Sequence, residues 1–241
     1  MTTKLPVFAA FILAAAALAA LPQAKLLTSA QAQQAQPQPA KAQQGQVEKP
    51  KAEEPDDDPV SVEAITRDPH IPVMGNPRGD LTIVEYFDYR CPYCKKVNPV
   101  LHKVVKDDGH IRLIFKDWPV FGGVSIYAAR LALATKYQNK YGEAHEALIA
   151  ATGALTESKV QEILTEAGID VARAQRDLTA HGKDIDALLA RNHQQALALE
   201  FQGTPAFIIG KFRVPGALDE KNFKLAIADS RKADKVDKNK K

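Results

Sequence analysis

Only two cysteines occur in the 241 residues, and they stand three apart as Cys91-Pro92-Tyr93-Cys94. A sulfur pair at that spacing can ligate a metal, form a fixed cross-link, or cycle between dithiol and disulfide. A structural zinc site asks for four ligands, and there is no second cysteine pair. The histidines are His70, His102, His110, His145, His181 and His193. His102 follows Cys91 by 11 residues in one helical run, roughly 16 Å at 1.5 Å per residue. His145-Glu146 lacks the second histidine of an H-E-x-x-H zinc motif. A fixed bridge closing so short a loop would constrain the unfolded chain little. Reversible exchange fits the position best, and no metal, nucleotide or flavin site is visible in the sequence.

The reason lies in what flanks the pair. Leu81 to Phe87 is β-branched and aromatic and reads as a buried strand. Tyr93 to Asp107 carries Val97, Val100, Leu101, Val104 and Val105 at helical spacing. Pro92 suits a first helical turn, Pro99 should kink the run, and Gly109 ends it. Cys91 therefore falls at the N-cap or first turn, where free amides and the helix dipole stabilise a thiolate. Cys94, one turn on and more buried, is placed to close or reopen the bridge. Cys91 exchanges with a partner; Cys94 resolves the mixed disulfide.

Glu85 lies six residues before Cys91, on the strand beneath the helix start. With period two it shares a face with Ile83, and Val84 and Tyr86 take the other. A buried carboxylate needs a partner, and Lys116, at the end of a second strand over Ile111 to Phe115, is the expected one. Such a pair could move protons under Cys94.

The rest of the chain supplies a scaffold. Strand, helix and second strand form a β-α-β unit with parallel strands. From about residue 122 to 201 the pattern is helical. One face carries Val124, Tyr127, Ala128, Leu131 and Ala134, and a short run spans Glu143 to Ala151. A third starts near Thr156 and stops at Gly168, a fourth is capped by Asp170, and a fifth carries Ile185, Leu188, Leu189, Asn192, Ala196 and Leu199. Gly203-Thr204-Pro205 leads into Ala206 to Ile209, and Gly210-Lys211 turns the chain into Phe212 to Val214, a hairpin. Asp219 caps a last helix to about Ala228. The fold class is α/β, with a helical insertion between the β-α-β half and the β-hairpin-α half.

The ends read differently. Residues 1–32 resemble a cleaved export signal. Lys4 is followed by 17 residues, Leu5 to Leu21, that are almost wholly apolar, and Ala30 and Ala32 fit a small-residue cleavage site. An uncleaved membrane anchor is the alternative; 17 residues is the lower limit for spanning. Residues 33–59 are Ala-, Gln-, Pro- and Lys-rich with an acidic end and read as a disordered tether. The folded domain is read as 60–229, and 230–241 as a disordered basic tail. The net charge of +3 falls to +1 once Lys4 and Lys25 are cleaved away, so nothing argues for nucleic acid. Export matters, because an oxidising compartment lets a disulfide persist.

Together these stretches resemble the DsbA-like branch of the thioredoxin-fold superfamily, the periplasmic thiol:disulfide oxidoreductases. The resemblance rests on Thr82-Ile83-Val84-Glu85-Tyr86-Phe87-Asp88-Tyr89 running into Cys91-Pro92-Tyr93-Cys94, and on Pro99. Phe115-Lys116-Asp117-Trp118-Pro119, Gly203-Thr204-Pro205-Ala206-Phe207 and the helical block complete it. It implies a thioredoxin fold over about residues 60 to 228, with Cys91 and Cys94 catalytic and no cofactor beyond their disulfide. Pro92, Tyr93, Glu85 and Lys116 would tune the site. Pro205 would be cis and pack against the disulfide, and Thr204 would offer its backbone to a substrate strand. It implies a periplasmic monomer that donates disulfides to unfolded or partly folded exported proteins and is re-oxidised by a membrane redox partner. DsbA has histidine at the place of Tyr93, whereas Cys-Pro-Tyr-Cys and Thr-Pro also occur in the isomerase-like DsbG. An isomerase or reductase of the DsbG/DsbC type therefore stays open, as does a chaperone-like peptide-binding module without redox turnover.

Overall fold

A computed structural model of the protein describes residue 58 and residues 60–239. The stretch read as an export signal, nearly all of the expected tether and the last two lysines lie outside the described residues.

The first ordered element is a short helix α1 (Val62–Thr66), whose N-cap Ser61 accepts from the Ala64 amide. A three-residue strand β1 (Val73–Gly75) follows. It has no counterpart in the sequence reading; three residues are too few to display a period of two. Strand β2 (Leu81–Phe87) leads to helix α2 (Pro92–Asp108), then strand β3 (Ile111–Asp117). Helices α3 (Gly123–Ala134), α4 (Tyr141–Ala150), α5 (Glu157–Glu166) and α6 (Val171–Ala198) form the insertion. Strands β4 (Ala206–Ile209) and β5 (Phe212–Pro215) and helix α7 (Glu220–Lys238) close the chain.

The five strands are ordered β1-β3-β2-β4-β5, with β2 and β3 parallel and every other pair antiparallel. β2 is the central strand, so the residues leading to Cys91 come from the most enclosed part of the sheet. Glu85 sits between Phe115 and Phe207, and Tyr86 between Lys116 and Ala206. Side chains alternate between faces, so Glu85, Phe87, Phe115 and Phe207 share one face. On it Phe207 meets Phe223 of α7, and Phe87 and Phe115 meet His145 of α4. Tyr86 and Lys116 share the opposite face, against Phe201 and the Asn192 and Gln195 side chains of α6.

Two helical readings change. The fourth and fifth expected helices are one, the 28-residue α6, with Asp170 as N-cap accepting from the Arg173 amide. Gly182 interrupts the pattern but not the helix. A lone glycine costs about 1 kcal/mol against alanine, and a buried row of Ala174, Ile185, Leu188, Asn192 and Ala196 outweighs it. The last helix passes Ala228 and runs to Lys238, so residues 230–238 are not a disordered tail. Ser230 is fully buried, Arg231 reaches Asp80 and Asp108, and Lys211 pairs with Asp237. Composition counts those cations as repelling; folding supplies their carboxylates. Gly210 belongs to the same contact: its φ is +56°, and a Cβ there would meet the Ser230 hydroxyl at 1.9 Å.

Candidate active site

β2 ends at Phe87 and a tight turn delivers Cys91 to the start of α2. Asp88 builds that turn. Its buried carboxylate accepts from the amides of Arg90 (2.7 Å), Val120 (2.7 Å) and Phe121 (3.0 Å) and from the Ser125 hydroxyl (2.8 Å), and its carbonyl accepts from the Cys91 amide. One side chain thus ties the cysteine turn to the loop after β3. In the sequence Asp88 stands out only as part of a motif; four donors arriving from three loop positions and α3 leave no local spacing to read.

Cys91 is the N-cap of α2 with Pro92 at the first helical position. Its Sγ accepts from the Cys94 amide at 3.4 Å, and its thiol donates to the Thr204 carbonyl at 3.1 Å. The Thr204-Pro205 peptide is cis, so the second half of the site lies against the first as expected, 113 residues apart in the chain. Both cysteines are free thiols here. Cys91 is 1% exposed and Cys94 0%, so the expected contrast in burial is slight. The contrast lies in their acidity. The hydrogen bond from Cys94 outweighs desolvation and, with those from Thr204 and the amides of Cys94 and Tyr93, pulls the Cys91 thiol down to about 6. Burial, its bond to Cys91 and the charge of Glu85 push Cys94 far the other way. One sulfur is a thiolate near neutral pH while the other keeps its proton, the division that attack and resolution require.

Glu85 is near enough to Cys94 for its charge to act on that thiol, but Lys116 is not its partner. The two residues are one register position apart on parallel neighbours, so they point to opposite faces. Lys116 Nζ instead donates to Gln195 Oε1 at 2.7 Å and Asn192 Oδ1 at 3.3 Å. Burial lowers it to about 7. Glu85 makes no ion pair with any described residue; burial, and then the nearby charges of Cys91 and Glu146, hold its carboxyl well above the usual range. Its protonated form is thereby favoured, and a proton held near Cys94 is one the exchange step can use.

Tyr93 is 63% exposed beside the pair, and Val120 and Phe121 are exposed on the adjoining loop. Lys95, missed in the sequence, donates to the Leu148, Ile149 and Ala151 carbonyls and so fastens α2 to the end of α4. No described helix is long and apolar enough to cross a membrane.

A central mixed sheet, a helix opened by Cys-x-x-Cys and a cis-proline against its first sulfur define a thioredoxin-like protein of the thiol–disulfide oxidoreductase class. The chain belongs to the thioredoxin family, whose model matches residues 67–229. It is 38% identical to a thioredoxin-like oxidoreductase from Silicibacter pomeroyi DSS-3, covering 71% of this chain and 98% of that one, with a TM-score of 0.69. A thiol-disulfide exchange protein, alpha-DsbA2 of Wolbachia pipientis, is 27% identical over 69% of this chain and 90% of its own, TM-score 0.65. A periplasmic thioredoxin-like protein from Salmonella enterica serovar Typhimurium is 29% identical over 70% and 94%, TM-score 0.62. These neighbours agree with the DsbA-like resemblance. Among curated proteins, Na(+)/H(+) antiporters NhaA 1, for instance from Mycobacterium sp. (strain KMS), are 25% identical over 162 residues. The match takes in 66% of this chain but 26% of the antiporter, so it spans about a quarter of that protein's length.

Proposed function

We propose that the protein is an exported thiol:disulfide oxidase that passes its Cys91–Cys94 disulfide to folding exported proteins. The observation that carries this reading is the Cys91 thiol at the α2 N-terminus, lowered to about 6 by the Cys94 hydrogen bond and the first-turn amides. A substrate thiolate attacks Cys91 Sγ, the Cys91–Cys94 bond breaks, and a mixed disulfide forms at Cys91 while Cys94 leaves as a thiolate and takes up a proton. A second substrate thiolate then attacks the substrate sulfur, releasing Cys91 as its thiolate. The substrate leaves with a new disulfide and the protein as the dithiol. A stable Cys91 thiolate favours that reduced product and makes the couple oxidising. Thr204 and Pro205 form the edge against which an extended substrate segment docks, and Tyr93 and Pro92 set the potential from within the dipeptide. The site acts as a monomer in the periplasm, and a membrane redox partner restores the disulfide. No cofactor beyond the disulfide enters these steps.

A redox titration tests the direction. Thioredoxin lies near about −270 mV and DsbA near about −120 mV. With Cys91 at about 6, between the thiols of those two proteins, an intermediate potential is expected. A potential at the thioredoxin end would overturn the oxidase reading in favour of an isomerase or reductase of the DsbG/DsbC type. Replacing both cysteines with serine separates either enzyme from a chaperone-like module: restored disulfide formation by the double variant in cells would defeat the redox reading altogether.

A further inference from the structure

We propose that His102, His145 and Glu146 form a binding site for a divalent transition-metal ion of the zinc class, separate from the cysteine pair. One ligand atom from each lies within 4.8 Å of the other two. His102 comes from α2, His145 and Glu146 from α4. Neither the single helix nor the His145-Glu146 dipeptide discloses the group; the packing of α2 on α4 brings it together. Two histidines and a carboxylate are a donor set that zinc takes with a fourth position left for water or another oxygen.

The group is built like a site in three respects. First, His145 is 1% exposed and its Nε2 has no hydrogen-bond partner. A buried orphan of that kind costs about 1–3 kcal/mol unless something binds it. Its other nitrogen, Nδ1, is 3.4 Å from the Tyr89 hydroxyl. In the tautomer that carries its proton on Nδ1, His145 donates to Tyr89 and keeps the Nε2 lone pair for a ligand. That is the outer contact by which metal-ligating histidines are oriented. Second, His102 Nε2 and Glu146 Oε1 approach to 2.9 Å, yet neither completes a well-directed hydrogen bond. Third, Asn98, one turn before His102, holds Glu146 Oε2 through its Nδ2 at 3.4 Å, an outer contact that orients the carboxylate. His102 also lines an open cleft with Met74, Asn76, Val105, Lys106 and Leu113, which gives an ion a way in.

The bound ion would join α2, which carries both cysteines at its other end, to α4. Its expected signature is therefore added rigidity of that pair of helices without a change in the thiols. Because Cys91 and Cys94 can bind zinc themselves, the test uses the full chain, free of any histidine tag, with both cysteines replaced by serine. Calorimetric titration with Zn2+ should give one ion per chain and a higher Tm. Co2+ should give the absorption of a nitrogen and oxygen site without a thiolate charge-transfer band. His102→Gln and Glu146→Gln, both on partly exposed side chains, should each weaken Zn2+ by about tenfold or more, at least what loss of an outer contact costs, while leaving the metal-free melting curve in place. Absence of binding in the cysteine-free chain overturns the proposal, as does an affinity that neither substitution changes. The oxidase reading is untouched by either result, since its own test is the redox titration of the wild-type pair.

Discussion

Glu85 and Lys116 are both buried, both ionisable and carried on neighbouring strands, yet the sheet keeps them apart. On the side of α2 and α4, Glu85 sits among aromatic rings with a thiol above it and no cation beside it. On the side of α6, Lys116 is met by two amide oxygens of one helix. The difference shows how each face uses a charge. The amide-capped lysine is a structural rivet: it fixes α6 to β3, and its donors are spent on that task. The uncapped carboxyl is held protonated at a cost in stability, and its neighbour is the resolving sulfur. Strain is tolerated where protons move and is relieved where helices are anchored.

The largest effect expected lies on the reactive face. Cys91→Ser should abolish thiol–disulfide exchange in an insulin-reduction assay. Cys94→Ser should leave Cys91 able to attack but unable to be released, so that mixed disulfides accumulate on non-reducing gels. If Cys94→Ser turned over normally, the division of roles between the two thiols would be wrong.

The anchoring face should declare itself in the pH dependence of stability, measured on the disulfide form so that no thiol titrates. Above pH 7 the folded Lys116 has lost its proton, while the unfolded lysine, near 10.5, retains it. The unfolded state then binds more protons, and stability rises with pH from about 7 toward 10. The gain is at most about 5 kcal/mol, at about 1.36 kcal/mol for each tenfold difference in proton affinity between the two states. Lys116→Met should flatten this rise in urea melts; an unchanged slope would mean that Lys116 stays charged against its amides.

Glu85 has the opposite sign. Its unfolded carboxyl ionises near 4.5 while the folded one still holds its proton, so stability falls as pH rises above 4.5. Glu85→Gln should remove that fall and stabilise the protein at pH 7 by at most about 3 kcal/mol, at about 1.36 kcal/mol per pH unit above 4.5. The same variant should slow resolution at Cys94 in stopped-flow exchange. A variant stabilised but unchanged in rate would reduce Glu85 to a packing residue.

The smallest effect is at the edge. Arg231 makes paired bonds to Asp80 and Asp108 at 2.7–3.1 Å, and both carboxyls are held below their usual range, chiefly by hydrogen bonds from Arg231. The group is largely solvent-screened, so Arg231→Ala should cost only about 1 kcal/mol. The loss should be visible at neutral pH and vanish as acid protonates both aspartates.

What can be read in the sequence follows from whether a contact is periodic or long-range. The β2–α2–β3 unit, the Cys91 cap, the Gly109 stop and the 206–215 hairpin are local patterns, and each appears where the pattern puts it. The thioredoxin fold and the apposition of Thr204-Pro205 to Cys91 come from resemblance rather than spacing. The Glu85–Lys116 pair fails on parity: nearness to the strand ends does not fix the register, and a shift of one residue exchanges faces. The meeting of His102 with His145 and the rescue of the basic C-terminus by Asp80 and Asp108 depend on which helices pack together. No single segment encodes that.

The length of α6 has a consequence of its own. Its last turn carries Gln195 into the Lys116 contact, and only Leu199 to Gly203 separate its end from Thr204. The helix is thus the arm that delivers the cis-proline loop to the cysteines. One residue added or removed within it would rotate everything beyond by about 100° and shift it by about 1.5 Å, moving the loop off Cys91. Drift in this part of the chain is therefore quantised. The helix itself can change only by steps that restore its phase.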